Sequence, residues 1–444
     1  MVKTVKPMTS GSIWKRMTFF ALPLMLGNLF QQMYNTVDSL IVGNFLGSSA
    51  LAAVSSSGSL IFMLIGFLSG ISSGAGVIVA RFFGGQDQEN LHRTVHTTVA
   101  FGLVAGLVMT AAGMIFSPQI LTWMDTPESV MENSVAYLQI YFSGSLGFVM
   151  YNIFVGILQA VGDSRHPLYY LIVSSVINLV LDVLFIDAFH TGVGGAALAT
   201  VISQAVSALL CLIQLMRTKE NYRLQLKKIR FDRKILGQII RIGLPSGVQN
   251  SIIAFANVIV QSYINTFGEM AMAGYGAYSK VEGFGFLPIN SFTMALTTFV
   301  GQNLGAKQFD RTRKGARFGV LVTIILAELI GILVFIFAPV LIAAFDSTPE
   351  VIQFGIEKAR TAALFYCLLA YSHSIAAVLR GAGKAMIPMI IMMVFWCAVR
   401  VTFLAITIPL TGSIQMVYWV HPLTWSLSSL VFFFYYKKAN WAGM

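Results

Sequence analysis

Charged residues are scarce in this sequence: Lys, Arg, Asp and Glu make up 11% of the 444 residues, whereas 56% are hydrophobic. A water-soluble domain carries about a quarter charged residues, so most of this chain's surface is expected to face lipid. The apolar runs reach the length of about 20 residues that a membrane-spanning helix needs. Because lipid leaves no backbone group without an internal partner, the sequence predicts an all-α integral membrane protein.

Cysteine is also rare, and Cys211, Cys367 and Cys397 stand singly within apolar runs. Their spacing excludes a disulfide framework and a cysteine metal cluster. The sequence has no Walker phosphate loop, no HExxH motif and no GxSxG in a strand–turn–helix context. No sequence motif therefore supports ATP hydrolysis or intramembrane proteolysis. We expect neither enzyme activity nor a bound cofactor.

Twelve apolar stretches are expected to cross the membrane as helices. They lie near residues 17–38, 52–78, 95–116, 134–156, 168–187, 193–216, 244–267, 273–300, 317–338, 354–378, 387–409 and 413–436. The first follows a basic N-terminus but is longer than the apolar core of a signal peptide and lacks a small-residue cleavage site. We therefore expect it to be retained as the first span.

The placement of charge gives these stretches an orientation. Basic residues, which bring the net charge to +11, collect in the connectors after even-numbered stretches, above all from Arg217 to Arg241. The opposite connectors carry acids such as Glu269, with Lys358 and Arg360 as the exceptions. The positive-inside rule then predicts a multi-pass protein of a bacterial or archaeal cytoplasmic membrane with both termini cytoplasmic. The basic segment is expected to be a solvated connector, and no nucleic-acid partner is expected.

The two halves of the chain repeat the same landmarks at a nearly constant offset. The repeated pairs are Leu22-Pro23 with Leu244-Pro245, Gly84 with Gly305, "FSPQIL…DTPE" with "FAPVLI…DSTPE", and "QAVGDSRHP" with "RGAGKAMIP". The repeat predicts two pseudo-symmetric six-helix bundles, 1–216 and 244–444, joined by a basic cytoplasmic connector, 217–243. Parallel repeats of this kind are common in transporters, whose substrate path lies between the halves.

Asp38 and Asp182 lie within predicted spans, and the second half has no counterpart of either. Carboxylates inside a membrane are costly and mark functional sites. Helical rise places Asp182 roughly 21 Å from the cytoplasmic end of its span and Thr200 at the same level, with Asn178 one turn away. We therefore expect Asp38, Asn178, Asp182 and Thr200 to line one chamber that holds a proton or a small hard cation. Structural capping or pairing of the two acids is the alternative.

The predicted first span carries further candidates. Gln31, Tyr34 and Asp38 follow a spacing of three to four residues and share one stripe of that helix. Gln31 and Tyr34 are therefore expected to line the substrate cavity. Pro23 removes one backbone hydrogen bond from the same helix and is a candidate hinge.

At these residues the sequence resembles the multidrug and toxic compound extrusion (MATE) transporters, in the superfamily that also holds lipid-linked sugar flippases. The resemblance covers nearly the whole chain and rests on "LPLMLGNLFQQMYNTVDSLIVGNFLG", "GVGGAALATVISQ", "FLPINSFTMALTTFVGQNLGA" and "LRGAGKAMIP". It is strongest to the prokaryotic DinF-like branch. That branch has an Asp in the first helix and Asn-x-x-x-Asp in the fifth. The NorM-like branch instead has an acid in the seventh helix, and this chain has none from Leu244 to Phe267.

The resemblance implies specific roles. Asp38, Asn178, Asp182 and Thr200 match the family's cation-coupling positions, which would also ligate Na+ if sodium is the coupling ion. Pro23 and Tyr34 match the family's first-helix proline and tyrosine. The expected function is a secondary active antiporter that exports organic, mostly cationic amphipathic compounds in exchange for H+ or Na+. It would act as a monomer, with small-molecule substrates and membrane lipids as its partners.

Two other functions stay open at this stage. A flippase or exporter of a lipid-linked or polar metabolite could use the same fold, but it would need basic residues in the first-lobe cavity, and the predicted spans there have none beyond their cytoplasmic ends. A channel or a membrane-embedded enzyme is the third possibility, although no filter motif is present.

The predicted second lobe has ionisable residues of its own. Arg400 lies mid-span, and Glu282 or Glu328 is its expected partner. Whether these three charges are structural or functional is left open. Glu282, within "SKVEGFGFLP", is expected to contribute to the substrate cavity.

Overall fold

A computed structural model of the chain describes residues 7–46, 48–123, 126 and 128–442, apart from the side chains of 35, 38–40, 42–60, 62, 129 and 130. Every regular element in these ranges is helical. The α-helices are α1 (Ile13–Leu46), α2 (Ser48–Gly84), α3 (Gln88–Trp123), α4 (Glu128–Ser143), α5 (Ser145–Ala160), α6 (Arg165–Val183), α7 (Val193–Arg217), α8 (Arg233–Asn265), α9 (Glu269–Gly305), α10 (Phe309–Ala343), α11 (Pro349–Ala362), α12 (Tyr366–Gly381), α13 (Met386–Met392), α14 (Arg400–Thr411) and α15 (Gln415–Lys438).

Short helical segments of other types extend some of these helices. A π-helical turn, Leu184–Ala188, continues α6, and another, Met393–Val399, joins α13 to α14. A 3₁₀ turn, Ala363–Phe365, joins α11 to α12. The helix pair α4 and α5 is bent by 49° where the two meet. Several predicted spans therefore consist of two or three helical pieces rather than one uninterrupted helix.

The all-α membrane fold is confirmed. Within the described residues, nine helices are long and apolar enough to cross a membrane, or ten if the bent pair α4–α5 is one span. Each of the twelve predicted stretches is helical over nearly all of its length. Helices α1 and α15, which hold the first and last stretches, are not among the ten. The number twelve therefore stays a prediction.

The chain divides into two compact units. The first unit comprises Met1–Pro7 and Leu26–Gly243, and the second comprises Met8–Met25 and Leu244–Met444. The first turns of α1 therefore belong to the second unit, and the first turns of α8 belong to the first. The predicted lobes 1–216 and 244–444 with their connector 217–243 differ from this division at these helix starts, and the boundaries stay a prediction.

The start of α1 is attached to the second unit by both polar and apolar contacts. The Met8 carbonyl accepts hydrogen bonds from the Arg311 guanidinium, and the Met8 N–H donates to Gln302 Oε1 at 2.8 Å. The side chains of Met17 and Phe20 are buried in the apolar core of the second unit. This segment is therefore an integral part of that unit.

Small residues let helices approach closely within each unit, as is usual where membrane helices pack. A Cβ on Gly74 of α2 would stand 2.3 Å from the Cα of Gly243 in α8. A Cβ on Gly274 of α9 would stand 2.6 Å from the carbonyl oxygen of Val351 in α11. No side chain fits at either position, so glycine sets these helix–helix distances.

The basic connector between α7 and α8 is only partly solvated. Its lysines Lys227 and Lys228 are exposed, as predicted, but Tyr222 and Leu224 are each 1% exposed and pack in the core of the first unit. Burial raises the pKa of Tyr222 to about 12, so its hydroxyl stays protonated at neutral pH. Two apolar anchors therefore hold the segment to the first unit, and its charges face solvent.

Candidate ion-coupling site

The turn between α6 and α7 positions the polar residues of the first unit. Gly192 has a φ of +65°, a conformation that favours glycine, and it directly precedes α7. A Cβ on Gly195 would stand 2.1 Å from Thr191 Oγ1, so glycine is needed there too. The tight turn returns the chain beside α6 and brings Thr200 level with Asn178 and Asp182.

Asn178 of α6 connects Asp182 with Thr200. With the amide oriented so that both contacts are satisfied, its NH₂ donates to Asp182 Oδ2 at 2.7 Å and its carbonyl accepts from the Thr200 N–H at 3.2 Å. Asn178 is 1% exposed and Asp182 is fully buried, whereas Thr200 is half-buried. The structure thus brings three of the four predicted cation-coupling residues into one hydrogen-bonded group, which we call the Asp182 group.

The remaining predicted residues of this site lie on α1. Asp38 is part of that helix, but its side chain lies outside the described residues. Ile41, one turn further on, packs in an apolar cluster with Ile186 and Ala196. The backbone carbonyl of Ala196 also accepts the Thr200 hydroxyl at 3.0 Å. The α1 segment around Asp38 therefore lies near the helices that carry the Asp182 group.

Three more predicted residues precede Asp38 on α1. Gln31 is exposed and Tyr34 is half-buried, so both have the access that a cavity lining requires. Pro23 lies inside α1, two residues before the position where the helix passes from the second unit to the first. Whether these residues act on substrate or as a hinge stays a prediction.

The oxygens of the Asp182 group comprise one carboxylate, one amide carbonyl and one hydroxyl. Within the described residues, no three His, Cys, Asp or Glu side chains are close enough to hold a metal ion. A single carboxylate beside neutral oxygens suits a proton or a monovalent cation better than a transition metal. These residues would supply part of a Na+ shell or carry the exchanged proton.

In the second unit, Glu282 of α9 is held by tyrosines. The Tyr278 hydroxyl donates to Glu282 Oε1 at 2.9 Å and lies 3.0 Å from the Tyr366 hydroxyl. Glu328 accepts the backbone N–H of Cys367 at 2.9 Å, where the 3₁₀ turn passes into α12. Each of these two carboxylates accepts a hydrogen bond from a neutral donor, and the predicted place of Glu282 in a substrate cavity stays a prediction.

Arg400 interacts electrostatically with Glu282, one of its two predicted partners, but its direct contacts are with neutral groups. Its guanidinium donates to Asn257 Oδ1 at 3.0 Å and to Thr424 Oγ1 at 3.3 Å, and it stacks over the Trp396 ring. Neither Glu282 nor Glu328 forms an ion pair with it in the described part of the chain. The sequence indicates depth along each helix but not direction around it, and Arg400 points to neutral oxygens.

Sequence reasoning missed Lys358 of α11, which it placed at the outer mouth of a span. The side chain is fully buried, and its ammonium contacts Tyr418 O and His421 Nδ1 at 3.3 and 3.0 Å. The available signal was its position among connectors that otherwise carry acids. A basic residue among these acidic connectors departs from the charge pattern, and the burial of Lys358 accounts for the departure.

Comparison with known proteins identifies the family. The family model MatE matches residues 23–184 and 245–406, which together make up most of the chain and fall in its two halves. This chain belongs to the MatE family. The two matches also confirm the internal repeat of the chain.

Relatives of this MatE protein include two that are described as probable multidrug resistance proteins. YoeA of Bacillus subtilis is 31% identical over 96% of this chain and 94% of its own length. NorM of Thermotoga maritima is 26% identical over 87% of this chain and 84% of its own length.

Solved structures share the MatE fold seen here. One, described as an outward-facing conformation of a multidrug resistance MATE family transporter, has a TM-score of 0.91 at 23% identity, and the match covers 98% of both chains. Another, a MOP superfamily transporter from Pyrococcus furiosus, also has a TM-score of 0.91, at 24% identity over 98% of both chains. At these identities the likeness shows the fold alone.

Proposed function

We propose that this MatE-family chain is a secondary active multidrug efflux antiporter. It exports organic, mostly cationic amphipathic compounds in exchange for H+ or Na+ by alternating access, and it carries out no enzymatic reaction. The names of the relatives, which are multidrug resistance proteins, support the substrate class. The protein works in the cytoplasmic membrane with both termini in the cytoplasm, as a monomer among lipids.

The single observation behind this proposal is the buried Asp182 group. A fully buried carboxylate within a membrane span has to be neutralised, by a proton or by a cation. Asn178 and Thr200 are neutral and add no charge of their own to the group. They can therefore stabilise either occupant, as an exchange site requires. Occupancy therefore changes the charge of this group by one unit.

Asp38 is proposed to be the second acid of the exchange site. Its position on α1, one turn before the buried Ile41 that packs beside Ala196, supports this role. Two acids in one chamber would titrate as a coupled pair. An Asn-x-x-x-Asp pattern together with Asp38, and no acid between Leu244 and Phe267, supports a place in the DinF-like branch.

Pro23 is proposed to be the hinge that responds to occupancy. A proline inside a helix removes one backbone hydrogen bond and lowers the cost of bending. The repeat places Pro245 in the equivalent part of α8, next to the residue where that helix passes between units. Both helices that are shared between the units therefore carry a proline at the passage.

The experiment that tests this function uses purified protein in proteoliposomes loaded with a fluorescent organic cation, ethidium. Efflux is followed under an inward pH gradient, under an inward Na+ gradient at equal pH, and under matched K+. We expect efflux to accelerate under one of the first two and to fall to the K+ rate in Asp182→Asn. Equal efflux under all three gradients would contradict coupled antiport.

A further inference from the structure

The second unit contains a cage of tyrosine rings that has no part in the proposed exchange site. Tyr275 and Tyr278 of α9 and Tyr418 of α15 surround the ammonium of Lys358, with ring centroids 5.8, 5.6 and 5.8 Å from Nζ. A cation within about 6 Å of an aromatic face is attracted by the ring quadrupole, and aromatic cages bind ammonium groups in this way. Three rings therefore stabilise one charge.

The remaining contacts of Lys358 are also suited to an ammonium. Its Nζ donates to the backbone carbonyl of Tyr418 at 3.3 Å and lies 3.0 Å from His421 Nδ1. Because an ammonium only donates, His421 Nδ1 is the acceptor and the ring carries its proton on Nε2. Two acceptors and three ring faces thus replace the water that a lysine in solution would bind.

No carboxylate of the described chain forms an ion pair with Lys358. The nearest link to an acid runs through Tyr278, whose ring faces the ammonium while its hydroxyl donates to Glu282. Hydrogen bonding to a carboxylate makes the phenol more electron-rich and strengthens its attraction for the cation. Tyr278 therefore contacts both groups, Lys358 through the face of its ring and Glu282 through its hydroxyl.

The backbone brings the cage together. Gly355 of α11 and Gly274 of α9 lie in close contact, since a Cβ on Gly355 would stand 3.1 Å from the Gly274 carbonyl oxygen. Lys358 follows Gly355 by nearly one turn, and Tyr275 and Tyr278 follow Gly274 on α9. The approach of α9 and α11 at these glycines is what lets a lysine of one helix enter the rings of the other.

We propose that this tyrosine cage is a binding site for an alkylammonium group, which the chain fills with its own Lys358. The side chain is a tethered ligand that supplies a cation beside Tyr278, the residue that also binds Glu282. The second unit then needs no exchangeable cation, whereas the Asp182 group of the first unit does. Shortening Lys358 leaves the cage vacant and opens it to a free primary ammonium ion.

The test is a rescue of Lys358→Ala by propylammonium, which reproduces the lysine side chain beyond Cβ. Thermal unfolding of the purified protein is measured in detergent with and without propylammonium, with propanol as the neutral probe. We expect propylammonium to raise the Tm of Lys358→Ala by several degrees in a saturable way, because a ligand of the folded state stabilises it. Propanol should have no such effect.

Two controls use the same probe. Wild-type protein has its cage filled, and Lys280→Ala removes an exposed lysine from α9, the helix of Tyr275 and Tyr278. Neither should gain stability from propylammonium. An equal Tm shift in all three proteins, or none in Lys358→Ala, would overturn the proposal.

A second pair of variants covers the case in which Lys358→Ala fails to fold. Lys358→Met keeps the length of the side chain and removes its charge, and Glu282→Gln removes the opposite charge. Lys358 and Glu282 interact electrostatically without direct contact. Removing one of two opposite buried charges leaves the other uncompensated, whereas removing both is less costly. The double variant should therefore have a higher Tm than Lys358→Met alone. Additive losses in the double variant would contradict a compensating role for Lys358.

Discussion

At the scale of single residues, the Asp182 group shows how a neutral donor stabilises a buried carboxylate. A buried carboxylate that loses a hydrogen-bond donor destabilises the folded state relative to the unfolded one. Asn178 meets this need with its NH₂ while its carbonyl binds the Thr200 N–H. The amide therefore connects α6 with α7 and is also part of the proposed exchange site.

Asn178→Ala should lower the stability of the protein by about 1–3 kcal/mol, the usual cost of leaving a buried polar group without its partner. It should also weaken binding of the coupling ion, because one oxygen of the group is lost. Thermal unfolding with and without Na+, at several pH values, measures both effects. Asn290→Ala truncates an exposed amide of α9 and should change neither. Equal behaviour of the two variants would contradict the role given to Asn178.

The sequence predicted that Asp182 and Thr200 lie at one level, with Asn178 one turn away, because helical rise is regular and each span has a clear end. It could not predict the surroundings of Lys358 or the partners of Arg400. Those depend on the rotation of each helix and on how closely the neighbours approach, which small residues such as Gly274 set. The level of a residue depends on one helix, whereas the contacts of a side chain depend on how several helices pack.

At the scale of helices, glycines decide which elements can meet. Gly274 and Gly276 stand two residues apart on α9, but a Cβ on Gly274 would clash with the Val351 carbonyl at 2.6 Å, whereas nothing lies within 4 Å of one on Gly276. This contrast offers a matched pair on one helix.

Gly274→Ala should destabilise the protein by roughly 1–3 kcal/mol, because α9 and α11 would have to move apart. Gly276→Ala should be neutral or stabilising by up to about 1 kcal/mol, since alanine is the better helix former. Thermal unfolding of the two variants side by side gives the comparison. If both had the same Tm, the close approach of α9 and α11 would not depend on Gly274.

Pro23→Ala should restore a backbone hydrogen bond in α1 and stiffen it. We expect coupled efflux of ethidium from proteoliposomes to slow several-fold while the Tm stays the same or rises. Pro118→Ala, inside α3 and wholly within the first unit, is the control and should leave efflux unchanged. A Pro23→Ala variant that transports as fast as the control would rule out the hinge.

At the scale of the whole molecule, the repeat accounts for the division of the chain. Each half was recognisable from paired landmarks, and the family match falls on both halves. The repeat could not predict that the first turns of α1 belong to the second unit and those of α8 to the first. A sequence repeat identifies equivalent segments but not the core that each segment joins. Met8, Met17 and Phe20 join the second core through apolar packing, and Met8 also through hydrogen bonds with Gln302 and Arg311.

The charge pattern predicts that the connector after α7 is cytoplasmic and that the one before α9 is external. Single cysteines at the exposed positions Lys228 and Glu269, in a background without Cys211, Cys367 and Cys397, test this. A membrane-impermeant maleimide added to intact cells should modify the cysteine of Glu269→Cys and leave that of Lys228→Cys until the cells are permeabilised. The reverse pattern would place both termini outside.

The most direct test of the central claim is ion release on substrate binding. Ethidium is added to purified protein in weakly buffered detergent solution, and released protons are followed with a pH dye or released Na+ with ²²Na. If the Asp182 group exchanges its cation for substrate, wild-type protein releases protons or Na+ as ethidium saturates it, and Asp182→Asn releases neither while remaining folded. Release of the same amount from Asp182→Asn would contradict the account.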